Sequence, residues 1–465
     1  MSEVTQGSRL TDGSECCKLR ELFRSFQIAR QPANWTLAIV GVVLTYATGR
    51  ILDGIWSDDS TPVVMADGTT ELSCFVANGG DRAATRDWLA VVAGDDVGRR
   101  GAFAMLLDHG RHCINRVCLG VVRLEVGEVW GGLVASAGGM LWLFALHPLY
   151  AVLFFILSLM IWAMFGGALC RSAVLHAARD EHPPMREALR FACERWVSFL
   201  FSPLMAMMAV LFCGLALIVG GLVGLIPAVG EVLVALFFVL AICVGVAAAF
   251  LMIGGVAGLP LTFPTIAAEG SDAFDAVSRS FAYVYQRPWR TAWYYLLSIG
   301  YAAICLLFVK FFARLALWTG HFFVGVLMNR GEAALAEGAD AGGAGKLDAI
   351  WSGPGLFDNS TFWGAFDGPP LAHFTWFAQF LMTCWIYGVW AVVAALAVSL
   401  FYSSSTLIYL LLRRDVDATD IEDVYLDDLS DEEFTSTGPG ATGKSGGEST
   451  KTDSSGGGTS LPVVN

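Results

Sequence analysis

Lys310 and Arg314 stand four residues apart in an otherwise apolar stretch, so they share one face of a helix. Two cations on one face suit an anion such as a lipid headgroup. The same spacing fits a plainer role, in which both long side chains reach out to the headgroups at the far end of a span. A second cluster, Asp108-His109-Gly110-Arg111-His112-Cys113, contains metal-type ligands, and His109 and His112 can share a helix face. It lacks a second ligand pair at a zinc-like spacing, so a structural or surface role is expected and no metal is assigned. The chain contains no HExxH, phosphate-binding loop, GxSxG elbow or strand-bounded GxGxxG. No catalytic residue and no cofactor are assigned, and a membrane-embedded hydrolase has no nucleophile that can be paired with a base. Proton-coupled transport lacks carriers too, because ionisable groups are nearly missing from the apolar runs. Glu231 opens one such run, where a helix N-terminus favours a carboxylate without any transport role.

The elements that position these residues follow from composition. The chain has 465 residues, of which 55% are hydrophobic and 15% charged. That excludes a water-soluble multidomain protein, and the long apolar runs exclude disorder throughout. Uncharged runs occupy 31–49, 129–170, 196–230, 232–268, 291–309, 315–329 and 368–412. A span needs about 20 residues, and in lipid each must be a helix that bonds its own backbone. The expected fold is therefore all-α: a polytopic membrane protein with about six transmembrane helices, near 34–54, 149–170, 197–225, 232–260, 290–313 and 376–411. Gly131, Gly132, Gly138, Gly139 and His147-Pro148 predict an interfacial or re-entrant helix over 129–148. Residues 315–329 read as an amphipathic continuation at the far interface.

Basic residues orient these spans. The N-terminus holds Arg9, Lys18, Arg20, Arg24 and Arg30; loop 171–195 holds five arginines and loop 269–290 three; the tail opens with Arg413-Arg414. On the opposite side, loop 226–231 holds none and 330–367 only Arg330 and Lys346. Positive charge retained on the inside predicts that both termini are cytoplasmic. The first 32 residues carry no apolar signal-peptide core, so the first span is expected to anchor itself. Domain organisation follows: a cytoplasmic N-terminus (1–32), a first span (33–56), an external segment (57–148), a five-helix region (149–412) with an external loop at 330–370, and a cytoplasmic tail (413–465).

Short amphipathic helices are expected at the cytoplasmic interface. Leu19, Leu22, Phe23 and Phe26 form one stripe; Met185, Leu189, Ala192 and Trp196 form a second; Phe274, Val277, Phe281 and Val284 form a third, with Ser271 as its N-cap. Arg24-Ser25-Phe26, Pro32 and Trp35 parallel Arg279-Ser280-Phe281, Pro288 and Trp289, which is either a degenerate repeat or common interfacial usage. In the external segment, Ser57-Asp58-Asp59-Ser60 and Gly79-Gly80 read as loop with a short strand. Phe103, Leu106, Leu107, Ile114, Val117 and Val121 predict a helix that lies on the outer leaflet or packs under 129–146. The aromatics of 351–366 would form an interfacial flap. Cys74, Cys113 and Cys118 share the soluble segment and allow at most one disulfide.

The net charge of −13 resides mainly in the tail, where 413–465 carries −8. Nucleic acid is therefore not an expected partner. Residues 415–433 interleave ten acidic groups with Ile421, Val424, Tyr425, Leu426 and Leu429, which suits either docking on a protein partner or a solvated face. The remainder, rich in Gly, Ser and Thr, reads as disordered. Gly214, Gly220, Gly221, Gly224, Gly245, Gly254, Gly255 and Gly258 fall in two spans joined by the tight Ile226-Pro227-Ala228-Val229-Gly230 turn, predicting a close-packed hairpin or a glycine-lined groove.

Pro264-Thr265-Ile266-Ala267-Ala268-Glu269-Gly270, Asp275 to Phe281 and Trp289-Arg290 resemble the cytoplasmic-loop pattern of bacterial multi-pass proteins similar to the membrane domain attached to some glycerophosphodiester phosphodiesterases. Leu22-Phe23-Arg24-Ser25-Phe26 and Arg413-Arg414-Asp415-Val416-Asp417 look like the ends of uncharacterised membrane proteins from planctomycete-type bacteria. The resemblance covers 149–310 plus both ends. It implies a six-helix inner-membrane protein, explains neither 57–128 nor 330–370, and brings no phosphodiesterase domain. The function expected is a non-enzymatic organiser of lipids or partner proteins in the bacterial cytoplasmic membrane, with membrane lipids, and a protein bound by the acidic tail, as partners. The alternative is a permease or lipid-handling protein with a groove between 197–225 and 232–260, to which Lys310 and Arg314 attract an anionic headgroup.

Overall fold

Runs of apolar residues bounded by proline, glycine and arginine become long helices in the computed structural model. It describes residues 20–56, 61–65, 68–92, 98–227, 229–328, 347, 350–355 and 375–425. The elements before the second apolar run are α1 (Ser25–Ala29), α2 (Pro32–Ile55), β1 (Val63–Val64), α3 (Glu71–Ala77), α4 (Arg82–Val92), β2 (Gly98–Arg99) and α5 (Ala102–Arg123). There follow α6 (Val126–Leu146), α7 (Pro148–Arg179), α8 (Met185–Glu194), α9 (Trp196–Val223), α10 (Val229–Glu269), α11 (Ala273–Gln286), α12 (Pro288–Met328) and α13 (Thr375–Asp417). β1 and β2 pair antiparallel, the one ladder among the described residues. The protein is an all-α polytopic membrane protein, as its composition predicts.

Seven described helices are long and apolar enough to cross a membrane: α2, α6, α7, α9, α10, α12 and α13. The sequence predicts six, and the difference is α6. Its glycines do not interrupt it. A Cβ on Gly132 would lie 2.8 Å from Val117, and one on Gly139 2.8 Å from the His109 ring, so these glycines let α6 pack against α5 at close range. The helix predicted either to lie on the outer leaflet or to pack under 129–146 is α5, and it packs against α6.

Other boundaries shift in the same direction, toward longer helices. α12 runs unbroken through 315–328, and α10 and α12 have 41 residues each. At 1.5 Å per residue that is about 61 Å, twice the hydrocarbon thickness. Arg171, assigned to a loop by its charge, lies inside α7 and is buried.

Three short helices precede long ones in the same manner: α1 before Pro32, α8 before Trp196 and α11 before Pro288. In both Arg-Ser-Phe triplets the serine, Ser25 or Ser280, is fully buried. α11 corrects two expectations. Its N-cap is Asp272, whose side chain accepts from the Asp275 amide, rather than Ser271. Its buried face is Ala273, Ala276, Ser280, Tyr283 and Val284, while Phe274 is exposed. At an interface the largest apolar groups turn to lipid and the small and hydrogen-bonding ones turn to protein.

The main core joins α7, α10 and α13 at their tail-side ends, through Leu169, Cys170, Ala173, Ile266, Ala267 and Leu407 to Leu412. A second core, with Leu52, Leu72, Phe75, Phe103, Trp142 and Tyr150, ties the segment between α2 and α7 to the other end of those two helices. Two carboxylates organise that end. Asp53 accepts from the Phe103 and Ala104 amides at 3.0 and 3.2 Å and from the Tyr150 hydroxyl at 2.8 Å, capping α5 from α2. Buried Glu71 accepts from Trp142 Nε1 at 3.3 Å and meets His147 Nε2 at 3.2 Å. Gly79 and Gly80, predicted as loop, both have positive φ. The aromatic flap of 351–366 lies largely outside the described residues, as do Leu19, Ser57 to Ser60, Leu426, Leu429 and the tail beyond; Trp351 is buried against His321.

Candidate functional site

α9 and α10 are fastened at one end and bare at the other. In α9 only Phe199, Ser202 and Ala206 are buried, all in its first half. In α10 the buried residues run from Gly254 to Ala268, apart from Gly230 at the turn. The halves between these bases are apolar and exposed: Leu211, Phe212, Leu236 and Phe238 are 56–73% accessible. Added Cβ atoms at Gly214, Gly220, Gly221, Gly245 and Gly255 would meet nothing within 4 Å. The two helices pack against each other, as the sequence predicts, and Gly224 faces Val234 of α10. Gly254 and Gly258 instead face Phe281 and Ser280 of α11.

The cleft lies on the other side of the hairpin. A cavity of about 310 Å³ is bounded by Phe155, Ser158 and Trp162 of α7, Pro203 of α9, Pro260 of α10 and Tyr402 of α13. Both prolines stand within the packed stretches, Pro203 between Ser202 and Ala206 and Pro260 between Gly258 and Leu261. Proline inside a helix removes one backbone bond and bends the axis. Ser202 Oγ donates to the Phe199 carbonyl at 3.3 Å, and that carbonyl is the one Pro203 cannot serve. Ser158 Oγ is buried without a hydrogen-bond partner among the described residues.

The base of the hairpin is held by a polar network. Glu269, the last residue of α10, accepts from the Tyr409 hydroxyl at 2.6 Å and pairs with Arg279 at 2.9 Å and Arg413 at 3.4 Å. Burial opposes the charge on Arg279, but its bond to Asp275 and the two neighbouring carboxylates raise its pKa above the ordinary value. Tyr283 donates to Asp417 at 2.5 Å; burial and that bond push its pKa up. Asp415 accepts from Tyr294 at 3.0 Å and pairs with Arg290 at 3.1 Å.

Beyond α13 the chain folds back as a strap. The Tyr425 amide donates to the Ala268 carbonyl at 2.8 Å. Arg195 donates to the Gly270 carbonyl and stacks over the Tyr425 ring at 4.9 Å. Val424 is buried and Ile421 packs on the core. Three apolar residues of the acidic stretch are thus engaged by the chain itself.

Lys310 and Arg314 are placed against protein. Lys310 donates to Asn115 of α5, and Arg314, which is buried, donates from Nε to the Gly355 carbonyl at 2.7 Å. His109 bonds the Ala135 carbonyl of α6 at 2.8 Å, so its ring serves the α5–α6 contact. Cys74, Cys113 and Cys118 are free thiols. Neither the hairpin cleft nor the Glu269 network was singled out from sequence. Two signals were available: prolines inside apolar runs, and a glutamate where a span meets Gly270. Compared with known protein families, curated proteins and solved structures, the chain matches none.

Proposed function

We propose that this chain is an integral protein of the bacterial cytoplasmic membrane, with both termini cytoplasmic, that organises lipids without catalysis. The observation that carries this is the contrast within the hairpin, whose base is fixed by Glu269 and its partners while its outer halves present bare apolar surface. In a bilayer such surface is solvated by acyl chains, and a rigidly based apolar hairpin orders those that lie against it. A protein partner fits less well, because Ile421, Val424 and Tyr425 are already engaged; such a partner would meet the stretch beyond Tyr425. The sequence resemblance to the membrane domain attached to some glycerophosphodiester phosphodiesterases adds no activity to this proposal.

A second reading, a lipid-handling permease, is favoured by the cavity at Pro203 and Pro260. One preparation tests both. Purification with native lipids retained, read by mass spectrometry, should yield a lipid complement held at fixed stoichiometry; its absence counts against both readings. Reconstituted vesicles that show retained lipid but no flux or scrambling would leave the organiser and remove the permease.

A further inference from the structure

We infer that the cavity bounded by α7, α13 and the hairpin base is a binding site for one phospholipid acyl chain from the leaflet on the tail side. This deepens the lipid-organising proposal and rests on it.

Depth fixes the class of ligand. Trp162 comes fourteen residues after Pro148, about 21 Å along α7, and Tyr402 comes eleven residues before Arg413, about 16 Å along α13. The cavity therefore lies inside a hydrocarbon core about 30 Å thick, nearer its tail-side half, where a headgroup cannot sit. Its α7 wall is Phe155, Ser158, Leu159 and Trp162, one helical face. Phe263 stacks on Tyr402 at 6.1 Å and meets Phe199 edge-on at 5.2 Å, closing the tail-side floor with rings.

Size excludes the competing occupants. A helix from a second copy is about 10–12 Å across with its side chains. A cavity of 310 Å³ holds on the order of ten water-sized groups. That matches a run of methylenes rather than a helix. Phe401, which also lines the cavity, is half exposed, so the cavity is reached from the surface of the bundle and the surrounding bilayer supplies the chain directly.

The test uses the full-length protein in vesicles of phosphatidylethanolamine and phosphatidylglycerol. These contain a trace of phospholipid bearing a diazirine midway along one acyl chain, and adducts are mapped by mass spectrometry after irradiation. Adducts should concentrate on the peptides containing Phe155 to Trp162 and Leu259 to Phe263. Ser158→Phe, which fills the cavity, should reduce them roughly tenfold while leaving adducts on Phe237 and Leu240 unchanged. Ser158→Leu and Leu259→Phe provide milder fillings should the first variant fail to fold, and each should reduce the same adducts. Adducts spread evenly over cavity and hairpin, or indifferent to all three variants, would overturn the site while retained native lipid still upheld the broader proposal. Labelling by a diazirine fatty acid but not by the phospholipid would overturn it as well.

Discussion

Arg171 of α7 and Tyr425, 254 positions apart, are joined by a hydrogen bond of 2.8 Å from the guanidinium to the Tyr425 carbonyl. The same Nη1 donates to the Ala267 carbonyl at 3.0 Å, and the Tyr425 amide serves Ala268. The last carbonyls of α10, which a helix end leaves without partners, are thus satisfied by one buried cation and one strap. Arg171→Ala should cost about 3 kcal/mol, since two carbonyls lose a charged donor. Denaturant unfolding would measure this, and limited proteolysis should cut more readily between Ala418 and Tyr425. Arg171→Lys should recover only part, because an ammonium does not reproduce the guanidinium fork. Unchanged stability and proteolysis in Arg171→Ala would remove the fastening role.

Tyr283 and Asp417 carry a pH signature. Burial and the bond to Asp417 raise the Tyr283 pKa in the folded protein above the unfolded value of about 10. The stability this provides is complete below that unfolded value and is lost as pH climbs through the folded one. Tyr283→Phe should lower stability at neutral pH by about 1.5–3 kcal/mol, the worth of a hydrogen bond to a charged acceptor. In alkaline solution its Tm should converge on that of the parent, whose stability falls there. Parallel alkaline decline of both proteins would dispose of this assignment.

The class of fold was legible because lipid demands long apolar helices and little else satisfies them. Ile421, Val424 and Tyr425 were legible as apolar residues in an acidic stretch, yet nothing in their spacing names α10 as the surface they cover. Arg171 misled for a related reason: an arginine at a span boundary looks like loop charge unless its buried carbonyl partners are known. The glycines of α6 were read as breaks when their neighbours on α5 make them contacts, while of those in α9 and α10 read as contacts Gly214, Gly220, Gly221 and Gly245 face open space. Local composition is the same in both cases. What differs is which helix lies opposite, and that is a long-range property.

That contrast gives a paired prediction. Gly132→Leu and Gly139→Leu should each cost about 1–3 kcal/mol through overpacking against Val117 and His109. Gly214→Leu and Gly220→Leu should leave stability unchanged, because an added side chain there meets nothing within 4 Å. Denaturant midpoints in one detergent decide it, and comparable losses in both pairs would mean that α9 and α10 pack against something more than lipid.

Lys310 and Arg314 present the sharpest choice between structure and recognition. Lys310 holds Asn115 and Arg314 holds the Gly355 carbonyl, so both cations serve contacts made by α12. Cys118 lies one turn along α5 from Asn115 and is buried. Loss of the Lys310 bond should let α5 open more often, exposing that thiol. In a background with the other cysteines replaced, Lys310→Ala, Arg314→Ala should raise maleimide modification of Cys118 roughly tenfold, equivalent to about 1.4 kcal/mol of local stability. Lipid retention should stay at the parent level. The opposite pattern, with Cys118 still protected and anionic lipid lost, would return the pair to headgroup binding and make α12 part of the lipid site.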